Sequence, residues 1–256
     1  MPPDLLLATC SDWADGEPGH DVLDRALADA GISATWARWD DPDVDWSASL
    51  VAARSTWDYD TRVEEFLAWA RSAPRLLNGS DVFAWNTDKA YLVELAAAGV
   101  PVVPTFVVDR AAVVKPRTGA GGRGVQVLEG ALVVQPLVES VRTEGEYSVH
   151  VLGGEPCSMV RKLPAGDEIR VHEHYGGATV AVPRTAEAAD LARRTVRAAE
   201  GVLGVRLDYA RVDAMRLDDG TLAVSELEVT EPGLYLDILP ENGAAFAKVV
   251  ASALGR

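Results

Sequence analysis

Residues 205–229, VRLDYARVDAMRLDDGTLAVSELEV, contain two largely apolar segments on either side of the turn 218–220, Asp-Asp-Gly. An Asp-Gly pair between two such segments is a strong signal for a β-hairpin. Glu226 and Glu228 are two residues apart, so their side chains share one face of the second strand. Asp213 lies on the partner strand. The stretch therefore predicts a hairpin with three carboxylates on one sheet face.

Three carboxylates on one face repel each other unless a divalent cation binds between them. Ligands that are all oxygen suit Mg²⁺, which commonly bridges nucleotide phosphates. The alternative is a solvated strand face with alternating acidic residues. Arg211, two residues before Asp213, joins the same face and makes that alternative less favourable. We predict Asp213, Glu226 and Glu228 as metal ligands.

Upstream of this hairpin, apolar periodicity predicts two regions of different character. The first 75 residues alternate strands and helices, which is typical of a parallel α/β unit. Residues 111–182 contain short strands separated by glycine-bearing turns, which is typical of antiparallel β-structure. The predicted strands are 4–8, 33–39, 49–54, 101–108, 111–116, 124–130, 132–137, 147–154, 169–173, 179–183, 205–215 and 221–229. The predicted helices are 21–30, 63–70, 87–98, 185–203 and 241–253.

Residues 117–124, RTGAGGRG, form a glycine-rich loop between two of these strands. Glycines allow backbone N–H groups to approach phosphate oxygens, and such a loop can fold over a nucleotide. The loop is neither a P-loop nor a Rossmann loop, because no helix starts after it. A glycine-rich hairpin without function is the alternative. The glycines concerned are Gly119, Gly121, Gly122 and Gly124.

Composition excludes several function classes. The chain has 256 residues and a formal net charge of −15, which argues against nucleic acid or an anionic membrane as the main partner. There is no apolar run near 18 residues and no basic-then-apolar leader, so we expect neither a membrane span nor a signal peptide. Cys10 and Cys157 are too few for a disulfide scaffold or a zinc site. We expect a cytoplasmic protein.

The order and character of these segments resemble the ATP-grasp superfamily, which includes glutathione synthetase, D-alanine–D-alanine ligase and RimK-type ligases. The chain is most similar to the branch that contains the cycloserine-forming O-ureido-serine cyclo-ligase. The resemblance covers nearly the whole chain. It rests further on 54–59 (RSTWDY), 85–89 (WNTDK) and the Arg-Lys, Gly-Asp and Arg-Val pairs within 161–171.

The resemblance implies an α/β protein, α+β in its C-terminal part. It implies a pre-ATP-grasp domain over 1–86 and an ATP-grasp domain over 87–256. The latter would divide into an ATP-covering subdomain at about 102–140 and a catalytic core at about 141–256. The stretches before Lys115 and between Gly124 and Gln135 are short, which leaves no room for the usual helices. We therefore expect a trimmed ATP-covering subdomain.

The resemblance also implies a role for each matching residue. ATP and Mg²⁺ are the implied cofactors, the latter as two ions, with Mn²⁺ as an alternative. Glu228 stands where several relatives have Asn, and a carboxylate there still binds Mg²⁺. The implied contacts are Lys89 and Lys115 with ATP phosphates, Gln135 and Leu137 with adenine, Glu146 with ribose, Lys162 with the γ-phosphate, Arg170 and Arg211 with the transferring phosphoryl group, and Asp213, Glu226 and Glu228 with the metal ions.

Substrate recognition is predicted at residues 54–59, just beyond the carboxyl end of a predicted strand. Arg54 can form a bidentate pair with a carboxylate, while Trp57 and Tyr59 can form the walls of a pocket. The alternative places both aromatic residues in an interdomain core. For residues 12–21 we favour a solvated segment over a substrate loop. Histidines at 150, 172 and 174 lie near the site in sequence and are more often structural.

The function predicted from these features is ATP-dependent ligation of a carboxylate to an amine, or ring closure between them, on a small amino-acid-like molecule. An acyl phosphate would be the intermediate, and ADP and phosphate would be released. A phosphotransferase of the same fold and a non-catalytic nucleotide-binding protein are the alternatives. The expected partners are small-molecule substrates, without nucleic acid or membrane, and a homodimer is a further expectation.

Overall fold

The computed structural model describes residues 2–256. The N-terminal part of the protein is a three-stranded parallel sheet with flanking helices. Strands β1 and β3 are buried along their whole length, as expected for apolar parallel strands covered on both faces. The sheet order is β2-β1-β3. Its elements are β1 (Leu5–Thr9), α1 (His20–Asp29), β2 (Ala34–Arg38), β3 (Leu50–Ser55) and α2 (Val63–Ser72).

Two short helices follow: α3 (Ser80–Asn86), which was not predicted, and α4 (Tyr91–Ala97), which lies within the helix that the sequence predicts over 87–98. The predicted start of α4 at residue 87 was wrong, because α3 ends at Asn86 and the side chain of Asn86 fixes the chain at this point. The Asn86 side chain donates to the Leu227 carbonyl at 2.7 Å and accepts from the Val229 amide at 3.0 Å. The Asp88 carboxylate then accepts from the Ala90 amide at 2.9 Å, which starts the next turn. These bonds attach the junction to the closing strand.

The middle of the chain forms two small antiparallel sheets and contains no helix over 102–138. Strand β4 (Phe106–Val108) pairs with β7 (Leu132–Val134), and β5 (Ala112–Val114) pairs with β6 (Gln126–Leu128). The predicted short strands are confirmed here. Because each pair has only three residues per strand, these sheets provide little core of their own.

The C-terminal part is a five-stranded antiparallel sheet in the order β10-β9-β8-β11-β12. Helix α5 packs on this sheet through a buried apolar face formed by Ala188, Leu191, Ala192, Val196 and Ala199. The predicted hairpin is the pair β11–β12. The elements are β8 (Glu146–Leu152), β9 (Glu155–Leu163), β10 (Ala178–Ala181), α5 (Ala186–Leu203), β11 (Tyr209–Arg216), β12 (Leu222–Glu228) and α6 (Glu241–Ala253).

One predicted strand, 169–173, is absent, and β9 was not predicted. Residues 169–172 are irregular because the Glu168 carboxylate accepts from the backbone amides of Ile169 and Arg170, at 2.8 and 3.0 Å. A strand would need those amides for its ladder. The segment instead forms a loop between β9 and β10.

The core is continuous between the two ends of the chain. Helix α6 packs on α1, and Phe246 and Val250 lie in one buried cluster with Leu5 and Leu7 of β1. Tyr209 of β11 joins the same cluster. The last helix therefore holds the N-terminal sheet against the five-stranded sheet. Every helix within residues 2–256 is too short or too polar to cross a bilayer.

Candidate active site

Three carboxylates lie together on the hairpin β11–β12. The strands pair Asp213 with Glu226 and Arg211 with Glu228, so all four side chains occupy neighbouring positions. One oxygen each of Asp213, Glu226 and Glu228 lies within 4.8 Å of the others. Asp213 is buried and the two glutamates are half-buried. The hairpin thus brings the predicted metal-ligand set together.

Cationic side chains surround these carboxylates. The Lys162 ammonium lies 2.9 Å from Asp213 Oδ2 and 3.1 Å from Glu146 Oε1. Arg211 donates to Asp213 from Nε at 2.9 Å and from Nη2 at 2.8 Å, and it also pairs with Glu228. In addition, Lys89 pairs with Glu226. Lys162 reaches this place because β9 pairs it directly opposite Glu146 of β8.

The pKa shifts show where positive charge is sufficient and where it is not. Burial alone would raise the pKa of Asp213, but Arg211 and Lys162 hold it well below the usual range. Burial raises the pKa of Glu228 to about 8, despite Arg211, and also raises the pKa of Glu146 despite Lys162. The neighbouring cations therefore do not fully stabilise the ionised forms of Glu228 and Glu146. Hard oxygen ligands with excess negative charge suit Mg²⁺.

A cavity of about 560 Å³ opens beside this group, and Lys162, Arg211 and Glu228 form part of its wall. Its volume is in the usual range for small-molecule sites. The rest of the wall comes from three segments, 13–18, 171–174 and the stretch after β12, together with Trp57 and Thr179. The residues concerned are Trp13, Glu17, Pro18, Trp57, Val171, His172, Glu173, His174, Thr179, Glu231, Gly233, Tyr235 and Asp237.

The predicted substrate residues divide between the cavity and the interior. Arg54 is 0% exposed, and its guanidinium pairs with Glu17 at 2.7 Å. Trp57 lines the cavity and packs edge-on against Trp13, with 5.2 Å between ring centroids. Tyr59 instead packs on Phe66 in the N-terminal core, at 4.9 Å. The carboxylate that pairs with Arg54 therefore belongs to Glu17 of the chain itself. Glu17 in turn lines the cavity.

Comparison with known proteins accounts for this combination of fold and site. A family model described as the N-terminal domain of the D-cycloserine synthetase DcsG matches residues 5–78. The cycloserine biosynthesis protein DcsG of Streptomyces lavendulae is 32% identical, over 97% of this chain and 99% of that protein. The chain belongs to the DcsG family of ATP-grasp ligases.

Solved structures agree with this assignment. A crystal structure of D-cycloserine synthetase DcsG superimposes on this ligase with a TM-score of 0.82 and 28% identity, over 98% of this chain and 99% of that chain. ATP-grasp ligase PsnB, in complex with minimal precursor, Mg and ADP, has a TM-score of 0.61 and 14% identity, over 99% and 98% of the two chains. At that identity the likeness shows the fold alone. This DcsG-family ligase is thus an enzyme of ATP-dependent ligation.

The other predicted residues of this ligase lie away from the carboxylates. Lys115 and the four loop glycines are exposed on the β5–β6 connection. Gln135 donates to Thr105 Oγ1 at 3.0 Å, and Leu137 is exposed. Arg170 pairs with Glu168 and stacks on Tyr175, 3.6 Å from the ring centroid. Their nucleotide roles stay predictions.

The sequence interpretation missed several wall residues of the cavity. Residues 12–21, for which a solvated segment was favoured, provide Trp13 and Glu17. The stretch after β12 provides Glu231 and Tyr235, and Tyr235 has a positive φ of 52°. A short polar-aromatic stretch directly after the Glu226–Glu228 strand was the only available signal.

The histidines also divide. His172 and His174 line the cavity. His150 is buried beneath it, with Nε2 3.0 Å from the Gly233 carbonyl and Nδ1 3.2 Å from Ser158 Oγ. Burial lowers the pKa of His150 to about 3, so the ring is neutral at pH 7. His150 is therefore a buried, hydrogen-bonded residue outside the cavity wall, and the structural role favoured from the sequence stays a prediction.

Proposed function

We propose that this ligase joins a carboxylate to an amine on a small amino-acid-like substrate, through an acyl phosphate. One observation carries the proposal: a group of carboxylates and cations lies beside a cavity of about 560 Å³. At the centre of this group, Asp213 pairs with Lys162 and Arg211. A site for phosphoryl transfer thus adjoins a site of small-molecule size.

The reaction has two steps. A carboxylate oxygen of the substrate attacks the γ-phosphorus of ATP, which forms the acyl phosphate and releases ADP. The amine nitrogen then attacks the acyl carbon, phosphate leaves with that carboxylate oxygen, and the nitrogen loses a proton. No covalent enzyme intermediate is needed, so positioning and charge neutralisation are the main tasks of the protein.

The residues divide these tasks. Asp213, Glu226 and Glu228 would hold Mg²⁺, which neutralises charge on the phosphates when bound. Lys162 and Arg211 stabilise the transferring group from the same face. Glu146, proposed for ribose, also orients Lys162 through its 3.1 Å contact. Outside this group we propose Lys89 and Lys115 for phosphates, Gln135 and Leu137 for adenine, Arg170 for the acyl phosphate, and residues 119–124 for covering the nucleotide.

The division of the chain is part of the proposal. Residues 1–86 would bind substrate, 102–140 would cover ATP, and 141–256 would supply the catalytic core. The relatives with the highest similarity described above are named for cycloserine formation, and cycloserine is a cyclic amide of an amino acid. We therefore include ring closure, in which acid and amine belong to one molecule.

The test is a turnover screen with Mg²⁺ and ATP. Amino acids with a side-chain amine, aminooxy or ureido group would be supplied alone or with separate amines, and products read by mass spectrometry. A hit prepared with ¹⁸O in its carboxylate should transfer one label to inorganic phosphate, because the bridging oxygen of an acyl phosphate comes from the acid. A stable phosphorylated product without an amide would indicate the phosphotransferase instead, and label-free phosphate would exclude the acyl phosphate.

A further inference from the structure

Glu231 is a nearly buried carboxylate without a partner. The residue is 9% exposed, and within residues 2–256 its carboxylate oxygens make no ion pair and no hydrogen bond to another residue. The other strongly buried acids near the site, Glu17, Glu146 and Asp213, all contact cationic side chains. A buried carboxylate that lacks a cation costs free energy, and a cationic ligand in the cavity would offset that cost.

The position of Glu231 is fixed by its surroundings. It follows β12 by three residues, and its backbone carbonyl accepts from Trp57 Nε1 at 3.2 Å. The following segment is held in turn by Glu17, whose Oε2 accepts from the Leu234 amide at 2.8 Å. Glu231 lines the cavity together with Trp57 and Tyr235. The carboxylate is therefore held at the wall of the site.

Nearby cations do not balance its charge. Lys162 is shared between Glu146 and Asp213, and Arg211 contacts Asp213 and Glu228. Arg54 is engaged with Glu17 and the Pro232 carbonyl. Glu231 also lies outside the set of three carboxylates whose oxygens meet within 4.8 Å. It is thus separate from the predicted metal ligands.

We propose that Glu231 binds a primary ammonium group of the substrate, with Trp57 and Tyr235 beside that group. A carboxylate next to aromatic rings is a recurrent environment for an ammonium ion, through charge-assisted hydrogen bonds and cation–π attraction. The inference rests on the proposed function and specifies its substrate as an amino acid whose ammonium group is recognised at a distance from the metal-ligand set. A 2-hydroxy acid of the same shape is rejected.

Direct binding tests this subsite without requiring turnover. Trp13 and Trp57 line the cavity, so tryptophan fluorescence reports its occupation. The probes are alanine, serine and 2,3-diaminopropionate in both configurations, with lactate and glycerate as hydroxyl counterparts of the first two. Each is titrated into the full chain saturated with Mg²⁺ and ADP. At least one amino acid should bind about tenfold or more tightly than its hydroxy acid, the usual magnitude for a hydrogen bond to a charged group.

Three variants complete the design. Glu231→Gln should remove the preference for the ammonium compound, and Glu231→Asp should restore part of it. Glu64→Gln makes the same substitution at an exposed position on α2, outside the cavity wall, and should leave the preference intact. If Glu231→Gln binds the amino acid as the wild type does, or if no amino acid gives a saturable response, the inference is wrong.

The turnover assay separates this inference from the proposed function. With a substrate found by the screen, Glu231→Gln should raise KM for the amino acid about tenfold, with KM for ATP and the Mg²⁺ dependence unchanged. A fall in kcat alone would instead assign proton transfer to Glu231, and a changed Mg²⁺ dependence would assign it to metal binding. Selective ammonium binding without any ligation would overturn the proposed function and leave the subsite standing.

Discussion

At the scale of single residues, the pairing of opposite charges determines which carboxylates of the site stay ionised. Asp213 stays ionised because two cations outweigh the effect of burial on its pKa. Glu228, with less compensation, has a pKa raised to about 8. The same carboxylates that repel each other in the free chain are the ones that a divalent ion would neutralise. The carboxylates proposed to bind the metal ion are therefore also the ones whose mutual repulsion destabilises the site locally.

The first prediction concerns Glu226. Glu226→Gln should reduce ATP turnover by at least about a hundredfold, since an amide provides a weaker, uncharged ligand for Mg²⁺ and for its partner Lys89. Phosphate release at several Mg²⁺ concentrations measures it. The control is Asp190→Asn, an exposed acid paired with Arg194 on α5, which should turn over normally. Full activity of Glu226→Gln would exclude the metal role.

The second prediction concerns the buried pair Arg54–Glu17. Arg54→Met should lower the free energy of unfolding by about 3–5 kcal/mol, because Glu17 would stay buried without its cation. The double variant Arg54→Met/Glu17→Gln should recover part of this loss, since no uncompensated charge remains. Urea denaturation measures both. Arg194→Met, which breaks an exposed pair, should cost only about 0–1 kcal/mol; equal losses in the two single variants would contradict the argument.

At the scale of elements, the loop between β9 and β10 shows how irregular backbone forms the cavity wall. Glu168 binds two consecutive amides and thereby prevents a strand, and residues 171–174 then line the cavity. The hairpin β11–β12 does the opposite. Its pairing before the register shift after Asp213 places four charged side chains on neighbouring positions, and strand periodicity alone was enough to predict the carboxylate face.

The third prediction tests that loop. A Cβ on Gly177 would lie 2.1 Å from the Val171 carbonyl oxygen, so Gly177→Ala must displace the backbone that carries His172. We expect a higher KM for the substrate, with a smaller effect on KM for ATP. Gly201→Ala is the matched control, because nothing lies within 4 Å of a Cβ there and alanine favours the helix. Steady-state kinetics of both variants decides; unchanged substrate KM in Gly177→Ala would show that the loop adapts.

At the scale of the whole molecule, the ends of the chain are joined. Helix α6 packs between the N-terminal parallel sheet and the five-stranded sheet, and its Asn242 Oδ1 accepts from Ser158 Oγ at 2.7 Å. Ser158 also contacts His150, which contacts the Gly233 carbonyl under the cavity. Global stability and the floor of the site thus depend on one buried polar chain.

The fourth prediction is an acid sensitivity that originates at His150. Its pKa is about 3 in the folded protein against 6.5 ordinarily, so between these values the unfolded chain binds more protons. The stabilisation is complete above pH 6.5 and is lost as pH falls. From pH 7 to pH 5.5 the wild type should lose about 1 kcal/mol more than His150→Gln. Urea denaturation at both pH values checks this; equal losses in wild type and His150→Gln would contradict it.

The parts that could be predicted from the sequence are those with local signals. The hairpin, the helix α5 face and the final helix follow from periodicity and turn residues. The start of α4 and the irregular segment 169–172 could not be predicted, because side chains there bind backbone groups that no periodicity reveals. Glu231 likewise belongs to no sequence motif. Only its burial and the lack of an ion pair at its carboxylate distinguish it from other acidic residues.

The net charge of −15 excluded long polyanions but did not indicate where the acids lie. The sequence by itself determined the fold class, the family resemblance and the carboxylate face, since these depend on residue order along single elements. Only the tertiary structure decided that Arg54 pairs with Glu17, that Trp57 reaches the cavity while Tyr59 does not, and that Glu231 lacks a cation. Those facts depend on which distant segments meet, and burial then fixes how strongly their charges interact.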